Sequence, residues 1–511
     1  PEQNSHDNPA DTHIGMSVSG SLNSSTVNGS TFKVYSGFDG PVTGSFTINA
    51  ADFDFDPSAN FLPGDLVEVS ATSGIEVDGA GIFPFVWQFR TETSNGSGMF
   101  QFGSEIPGPF DCRDVDLGDL DGDGDLDIVI LDFYSGNQVW FNNGLGGFTD
   151  SGQSLGWYAS MDIILGDLDG DGDLDALEAV NQSGNQWWMN NGSGTFSLHG
   201  GPFGSGATVE VVLGDLDGDG DLDVFEANYG EADQVFLNDG SGNFSSTGQS
   251  LGAGNGYAAG LGDLDGDGDL DIFVANNYQP NTVWFNYGLG TFMDSGQSLG
   301  NYASVGICLG DLDSDGDLDA YVANKMQADR IWLNNGDGVF TDSGQSLSTL
   351  DCYGVALGDL DGDHDLDVFI PGYFTGDSVW LNDGTGTFTD TLQSLGSASS
   401  YSLSLGDLNG NGALDAAVCG VVDEPVTIWM NITPTPTPTV PCINHGDVNF
   451  SGSLTAADAQ LAFYIVLGTY VPTYIEECAA DCNGSGTITA ADAQNIFFAV
   501  LGTGSCTDPI P

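Results

Sequence analysis

Leu117–Asp127 reads LGDLDGDGDLD, and this stretch decides the fold because it returns along the chain. The first Asp of each copy falls at Asp119, Asp167, Asp215, Asp263, Asp311, Asp359 and Asp407, each 48 residues after the one before. A constant step over seven copies means seven copies of one structural unit. Around the second copy, MDIIL leads into the acidic stretch and ALEAV leaves it; QWWMN then runs to a turn, NGSG, followed by TFSLHG. Short apolar and aromatic runs punctuated by Gly and Asn read as four strands joined by tight turns. A four-stranded unit of this length cannot bury both faces alone. Stacking such units around a ring solves that, so seven units predict a seven-bladed β-propeller.

A second motif, Asn-x-Gly-x-Gly-x-Phe, follows each acidic stretch from Asn142–Phe148 to Asn382–Phe388. The seventh unit stops at Trp429, Met430 and Asn431, before its outer strand, while SNGSGMF stands at 94–100, upstream of the first unit. The strand near Phe100 is therefore expected to complete the last blade and close the ring, leaving no open edge.

In the first unit, Asp119, Asp121 and Asp123 occupy positions 1, 3 and 5 of a loop, Gly124 the sharp turn at position 6, Asp125 position 7 and Asp127 position 9. Alternate side chains converging on one point, with a backbone carbonyl and a further carboxylate, are the oxygen ligands of a calcium loop, shortened from the EF-hand. Calcium fits better than magnesium, since the loop offers many protein oxygens and little rigidity. Carboxylates ~4 Å apart repel by about 4 kcal/mol even at an effective dielectric of ~20, so a bare solvated turn is disfavoured. An acid–base pair is disfavoured because an active site is rarely repeated identically. The same ligand set recurs as Asp167, Asp169, Asp171, Asp173 and Asp175; as Asp215, Asp217, Asp219, Asp221 and Asp223; and as Asp263, Asp265, Asp267, Asp269 and Asp271. The fifth loop, Asp311, Asp313, Asp315, Asp317 and Asp319, carries Ser314 at position 4. The sixth, Asp359, Asp361, Asp363, Asp365 and Asp367, has His364 in place of the turn Gly, and a Cβ resists positive φ there. The seventh reads Asp407, Asn409, Asn411 and Asp415, and with two amides it is expected to bind most weakly.

The DxDxDGxxD loop followed by the NxGxGxF turn resembles the FG-GAP/VCBS repeats of integrin-like propellers, over residues 94–432. The resemblance implies a propeller with calcium in its blade loops. The family spans adhesion proteins, lectins and lyase scaffolds, so fold alone does not choose a function.

Beyond the repeats, ITPTPTPTVP forms a stiff linker over 433–441. Thr433, Thr435, Thr437 and Thr439 are candidate O-glycan acceptors, with a bare spacer the equal alternative. Residues 442–511 hold two longer loops: Asp447, Asn449, Ser451, Gly452, Thr455 and Asp458, then Asp481, Asn483, Ser485, Gly486, Thr489 and Asp492. Each precedes a helical pattern, AADAQLAFYIVLG or AADAQNIFFAVLG. This resembles a type I dockerin, which implies a small α-helical EF-hand-like domain with two calcium ions and a cohesin-like partner. The usual recognition pairs are Ala456–Ala457 and Ala490–Ala491 here, so the partner stays open, as does a purely structural helix pair. Residues 13–93, with STVNGSTFKV, FLPGDLVEV and VWQFRT, resemble a bacterial Ig-like β-sandwich. Residues 1–12 read as an N-terminal arm reaching a neighbour.

Eight Cys suit an oxidising compartment. Counted from the first loop Asp, Cys112 and Cys352 stand at minus seven, Cys308 at minus three and Cys419 at plus twelve. If minus three and plus twelve are hairpin neighbours, Cys308–Cys352 and Cys112–Cys419 staple adjacent blades. Cys442, Cys478, Cys482 and Cys506 are expected to pair within the C-terminal domain in one of three ways, with zinc a minor alternative.

The 511 residues carry five Lys and Arg against 74 Asp and Glu, a formal charge of −69. Such a polyanion does not neutralise nucleic-acid phosphates, and no run approaches a membrane span. Hydrophobic residues at 40% suffice for a core. No HExxH, P-loop or dinucleotide motif is present, and GQSLG, repeated at 152–156, 248–252 and 296–300, is a hairpin element of the unit rather than a nucleophile. The expectation is a mainly β, extracellular, non-enzymatic protein: a calcium-hardened structural or adhesion protein, the protomer of a self-assembling filament. The alternatives are a lectin-like propeller using Trp140, Trp188, Trp284, Trp332 and Trp380 as sugar platforms, against a blade-core role for them, and a cohesin-docking module of an enzyme complex.

Overall fold

The acidic stretch and its flanks fold as a hairpin. In the first unit Cys112–Gly118 pairs antiparallel with Asp127–Asp132, Gly118 standing opposite Asp127 across the loop. Gln138–Phe141 and Thr149–Asp150 follow in order to complete a four-stranded sheet. All six residues of the second strand are buried, because both faces of the sheet are covered. Its side chains alternate between two cores. Ile128 and Ile130 pack with Leu408, Ala417 and Ile428 of the last unit, while Val129 and Leu131 pack with Ile163, Leu165 and Leu174 of the second.

This computed structural model describes residues 1–432 apart from 95, 157–159, 182, 205–206, 253, 349–350, 397–398 and 422–423. The linker threonines Thr433 to Thr439, both C-terminal loops and Cys442, Cys478, Cys482 and Cys506 lie outside the described residues. The second, third and sixth repeats form four-stranded sheets like the first, and the fourth and fifth are continuous through Asp271–Asn286 and Leu299–Gly310. The last sheet places Ser400–Gly406 innermost, then Asp415–Gly420, Glu424–Asn431 and, outermost, Phe100–Phe110. The strand at Phe100 thus completes the last sheet, with Phe100 opposite Asn431. No helix among the described residues is long and apolar enough to cross a membrane.

Cys112 and Cys419 are bonded, with Cα atoms 5.5 Å apart, tying the first sheet to the last. Cys308 and Cys352 are not bonded to each other, contrary to the offset argument. The inner hairpin pairs regularly from Gly310 opposite Asp319 to Gly306 opposite Ala323, so plus twelve faces minus five and not minus three. Cys308 faces Tyr321 instead, and its Sγ donates to the Val355 carbonyl at 3.1 Å. Cys352 therefore occupies the place of Cys112, and Ala323 the place of Cys419. Ala323→Cys is expected to bond with Cys352 on oxidation and to stabilise the protein by about 3 kcal/mol. Peptide mass mapping checks this; a Cys352 that stays alkylatable after oxidation would refute the equivalence.

Ahead of the ring, Ile14–Ser17, Asp52–Pro57 and Gly44–Asn49 form one sheet in the order first, third, second along the chain. Gly40–Pro41, Phe32–Ser36, Leu66–Ala71 and Phe85–Arg90 form a second. Ile14, Phe53 and Phe55 of the one share a core with Phe32, Val67, Val69 and Trp87 of the other. Residues 1–12 run against this layer rather than away from it. The Asn4 N–H donates to the Gln88 carbonyl at 2.8 Å, and Asn8 bridges Thr91.

Candidate metal centres

Each acidic loop is wound around the carboxylate of its first Asp. Asp119 Oδ1 accepts the N–H groups of Gly122 (2.8 Å) and Asp123 (3.1 Å), and Oδ2 accepts that of Gly124 (3.0 Å). Gly122 and Gly124 have φ of 79° and 89°, values that Gly adopts without a steric penalty. In the fifth and sixth loops Ser314 (φ 62°) and His364 (φ 77°) take up the same left-handed turns. At position 9, Asp127 accepts the N–H of Leu120 at 3.1 Å and that of Asn142 at 2.8 Å.

These bonds leave the charge of the loop uncompensated. Oxygens of Asp119, Asp121 and Asp127 lie within 4.8 Å of one another, as do those of Asp167, Asp169 and Asp175, of Asp215, Asp217 and Asp223, of Asp263, Asp265 and Asp271, and of Asp311, Asp313 and Asp315. At position 3, the Oδ1 atoms of Asp121, Asp169, Asp265, Asp313 and Asp361 are buried and accept no hydrogen bond. A buried carboxylate oxygen without a donor is costly, and its recurrence at one position in five loops fits a hard cation. Burial, reinforced by the neighbouring carboxylates, pushes Asp127 up to about 7 and Asp175, Asp271, Asp319 and Asp367 up to about 8.

Two loops depart from this pattern. In the seventh, the Asn409 amide donates to Asp415 Oδ2 at 2.5 Å, so a neutral donor does internally what a cation would do. In the third, Asp217 Oδ1 accepts the Asp219 N–H at 3.2 Å, and the Lys33 ammonium reaches Asp221 at 2.5 Å.

The side chains that fix these loops against each other went unrecognised in sequence. The Asn190 amide donates to the Leu174 carbonyl of its own unit and to the Leu120 carbonyl of the preceding one, at 3.1 and 2.9 Å. Asn238, Asn286, Asn334 and Asn382 repeat the link; Asn142 reaches back to Leu408, closing the ring. The Gln of GQSL clamps the next unit's turn: Gln153 donates to the Gly194 carbonyl at 2.6 Å and accepts the Phe196 N–H at 2.9 Å. Gln393 makes the same pair with Gly98 and Phe100, treating SNGSGMF as the seventh turn.

The N-terminal layer sits on the loop end of the ring. The Asp119 N–H donates to the Phe38 carbonyl, the Val86 N–H to the Gly268 carbonyl, and the Asp215 N–H to Glu68, all at 2.7–2.9 Å. Gln3 donates to Asp263, Thr93 to Asp359, and the Ser94 N–H to the Gly412 carbonyl; His364 meets Asp7 at 2.7 Å. Between this layer and the inner strands lies a cavity of about 340 Å³, lined by Tyr35, Glu68, Arg90, Leu165, Cys308 and Leu405 among others. Trp140 and Trp332 are buried, Trp188, Trp284 and Trp380 half-buried, within the cores of the ring.

The FG-GAP-like repeat matches at residues 119–178, 167–226, 215–274, 263–322 and 311–370. No curated protein matches the chain. Among solved structures it is similar to BBS1N in complex with ARL6DN, at 13% identity over 67% of this chain and 98% of that one, TM-score 0.46. It is also similar to the WD40 β-propeller domain of Doa1 (12%, 65% and 97%, TM-score 0.44) and to the BP39L lectin from Burkholderia pseudomallei (13%, 72% and 99%, TM-score 0.43). Residues 119–370 match five tandem FG-GAP-like repeats, and their sheets follow one another around the ring in the manner of a β-propeller.

Proposed function

We propose that this protein is an extracellular, non-enzymatic structural or adhesion protein, stabilised by calcium and self-assembling as the protomer of a surface filament. The observation that carries the reading is the recurring orphan oxygen at position 3 of loops stitched to their neighbours by Asn and Gln. Cations at such loops harden a ring rather than serve a single reaction centre. The finer architecture belongs to the same proposal: an Ig-like sandwich over 13–93, a seven-bladed propeller over 94–432 and a dockerin-like domain over 442–511. In this reading the Thr-Pro linker carries glycans, and nucleic acid and membrane insertion play no part. The disulfide Cys112–Cys419 supports an oxidising location. A lectin-like role or docking to a cohesin-like partner is the second reading; the half-buried Trp residues offer it little open ring surface. Electron microscopy of the purified chain in millimolar calcium tests the proposal. Regular fibres with a subunit-sized repeat are expected; single discs with appendages would overturn the filament and move attention to glycans.

A further inference from the structure

Along Phe85–Arg90 the side chains of the N-terminal layer divide between two cores. Trp87 and Phe89 enter the core shared by the layer's two sheets. Val86, 1% exposed, leaves it and joins Leu216, Leu270 and Ile272 in the core between the third and fourth units of the ring. Leu216 and Leu270 belong to acidic loops, beside Asp215 and Asp271. The main chain is fixed at the same point, for the Val86 N–H donates to the Gly268 carbonyl at 2.7 Å. Phe85 packs on Gly268 too: a Cβ there would stand 2.1 Å from its ring.

Gly268 is not an independent anchor. It is position 6 of the fourth loop, left-handed at φ 92°, and Asp263 Oδ2 accepts its N–H at 2.8 Å. Asp263 Oδ1 accepts the N–H groups of Gly266 and Asp267 at 2.8 and 3.1 Å, and the Gln3 amide of the N-terminal arm donates to the same carboxylate. Asp263 is one of three groups, with Asp265 and Asp271, whose oxygens lie within 4.8 Å of one another, and Asp265 Oδ1 is buried without a donor. Carboxylates this close repel, so the winding that presents Gly268 to Val86 depends on a cation among them.

We infer that the cation of the fourth loop latches this edge of the N-terminal layer to the ring. Without it, Phe85–Arg90 loses its main-chain partner and the footing of Val86. The layer keeps other seats, such as the Tyr35 hydroxyl on the Gly220 carbonyl at 3.1 Å, so one edge lifts and the rest holds. Beneath that edge lies a cavity of about 250 Å³, lined by Arg90, Val212, Leu213, Leu261, Cys308 and Leu309 among others. The latch is therefore a calcium-controlled lid on this cavity, and the free thiol of Cys308 reports its opening. Coupling of this kind is reciprocal: a seated Val86 also tightens the ion in its loop. The inference rests on the calcium reading and assigns one ion a regulatory task.

The second loop supplies the control. Its Asp169 Oδ1 is orphaned like that of Asp265, yet among the described residues no hydrogen bond joins residues 167–175 to residues 1–94. The test uses the full chain in calcium, with bound ions counted by equilibrium dialysis and N-ethylmaleimide addition mapped by mass. Asp265→Ala and Asp169→Ala should each lose one ion. Asp265→Ala alone should modify Cys308 at least 10-fold faster than the natural chain, with buried Cys352 still protected as proof of an intact ring. Val86→Ala keeps every ligand; it should also speed Cys308 and weaken one site about 10-fold, and it decides the matter if Asp265→Ala does not fold. Equal Cys308 rates in the two loop variants, or a Val86→Ala chain with natural rate and affinity, would overturn the latch and leave calcium standing. A natural chain that binds no calcium would sink both.

Discussion

Exhaustive chelation is expected to lower the melting temperature of the Pro1–Thr433 unit by about 15–20 °C. The argument starts from mass action. A loop with Kd on the order of 10⁻⁵ M, bathed in millimolar calcium, gains about 2.7 kcal/mol from its ion. Six loops of this kind supply about 16 kcal/mol, the seventh being excluded because Asn409 already satisfies Asp415. Unfolding some 430 residues carries an entropy of roughly 0.9 kcal/mol/K, which converts that gain into the stated shift.

Differential scanning calorimetry before and after EDTA, with a hold at raised temperature to allow exchange, measures the effect. The loss should be cooperative, because Asn190 and its counterparts join each loop to its neighbour. Calcium, and not magnesium, should restore the melt. A shift of under about 3 °C after full metal removal would mean that the orphan oxygens of Asp121 and its equivalents are satisfied some other way.

Much of this molecule was legible because the chain repeats itself. A fixed 48-residue step makes every strand and loop visible seven times over, and the missing turn of the last unit could be found at 94–100. What the sequence hid was long-range. The Asn190 link spans 70 residues and the Gln153 clamp 41, and neither partner is a side chain with a recognisable signature. The failed Cys308–Cys352 pairing has a local cause: the loop length fixes the hairpin register so that minus three stands opposite plus ten, Tyr321, and a spacing of residues alone does not reveal that register. The seat of the N-terminal layer was hidden too, since Phe38, Glu68 and Val86 meet the loops through single, unrepeated contacts.

Acidification should act in opposite directions with and without calcium, and this sign change separates a metal centre from an ordinary acidic turn. In the metal-free chain the position-9 carboxylates are raised by burial: Asp127 to about 7, Asp175, Asp271, Asp319 and Asp367 to about 8, and Asp223 to about 9. Unfolded, the same groups titrate near ~4. Between those values the folded chain binds more protons than the unfolded one, so its stability falls as pH rises. Each such group contributes up to about 1.4 kcal/mol per pH unit across that window. Taking the protein in EDTA from pH 8 to pH 5 should therefore raise its melting temperature. In millimolar calcium the ligands must be ionised, so protons compete with the ion. The melting temperature should then hold on the alkaline side and fall toward pH 4, where the two curves converge. Urea unfolding from pH 4 to pH 8, run with calcium and with EDTA, tests the pair of slopes. Parallel curves would show that no cation is linked to these carboxylates; curves that converge in acid and separate above neutrality would show that the ion, rather than the protein's own hydrogen bonds, holds each loop's charge together.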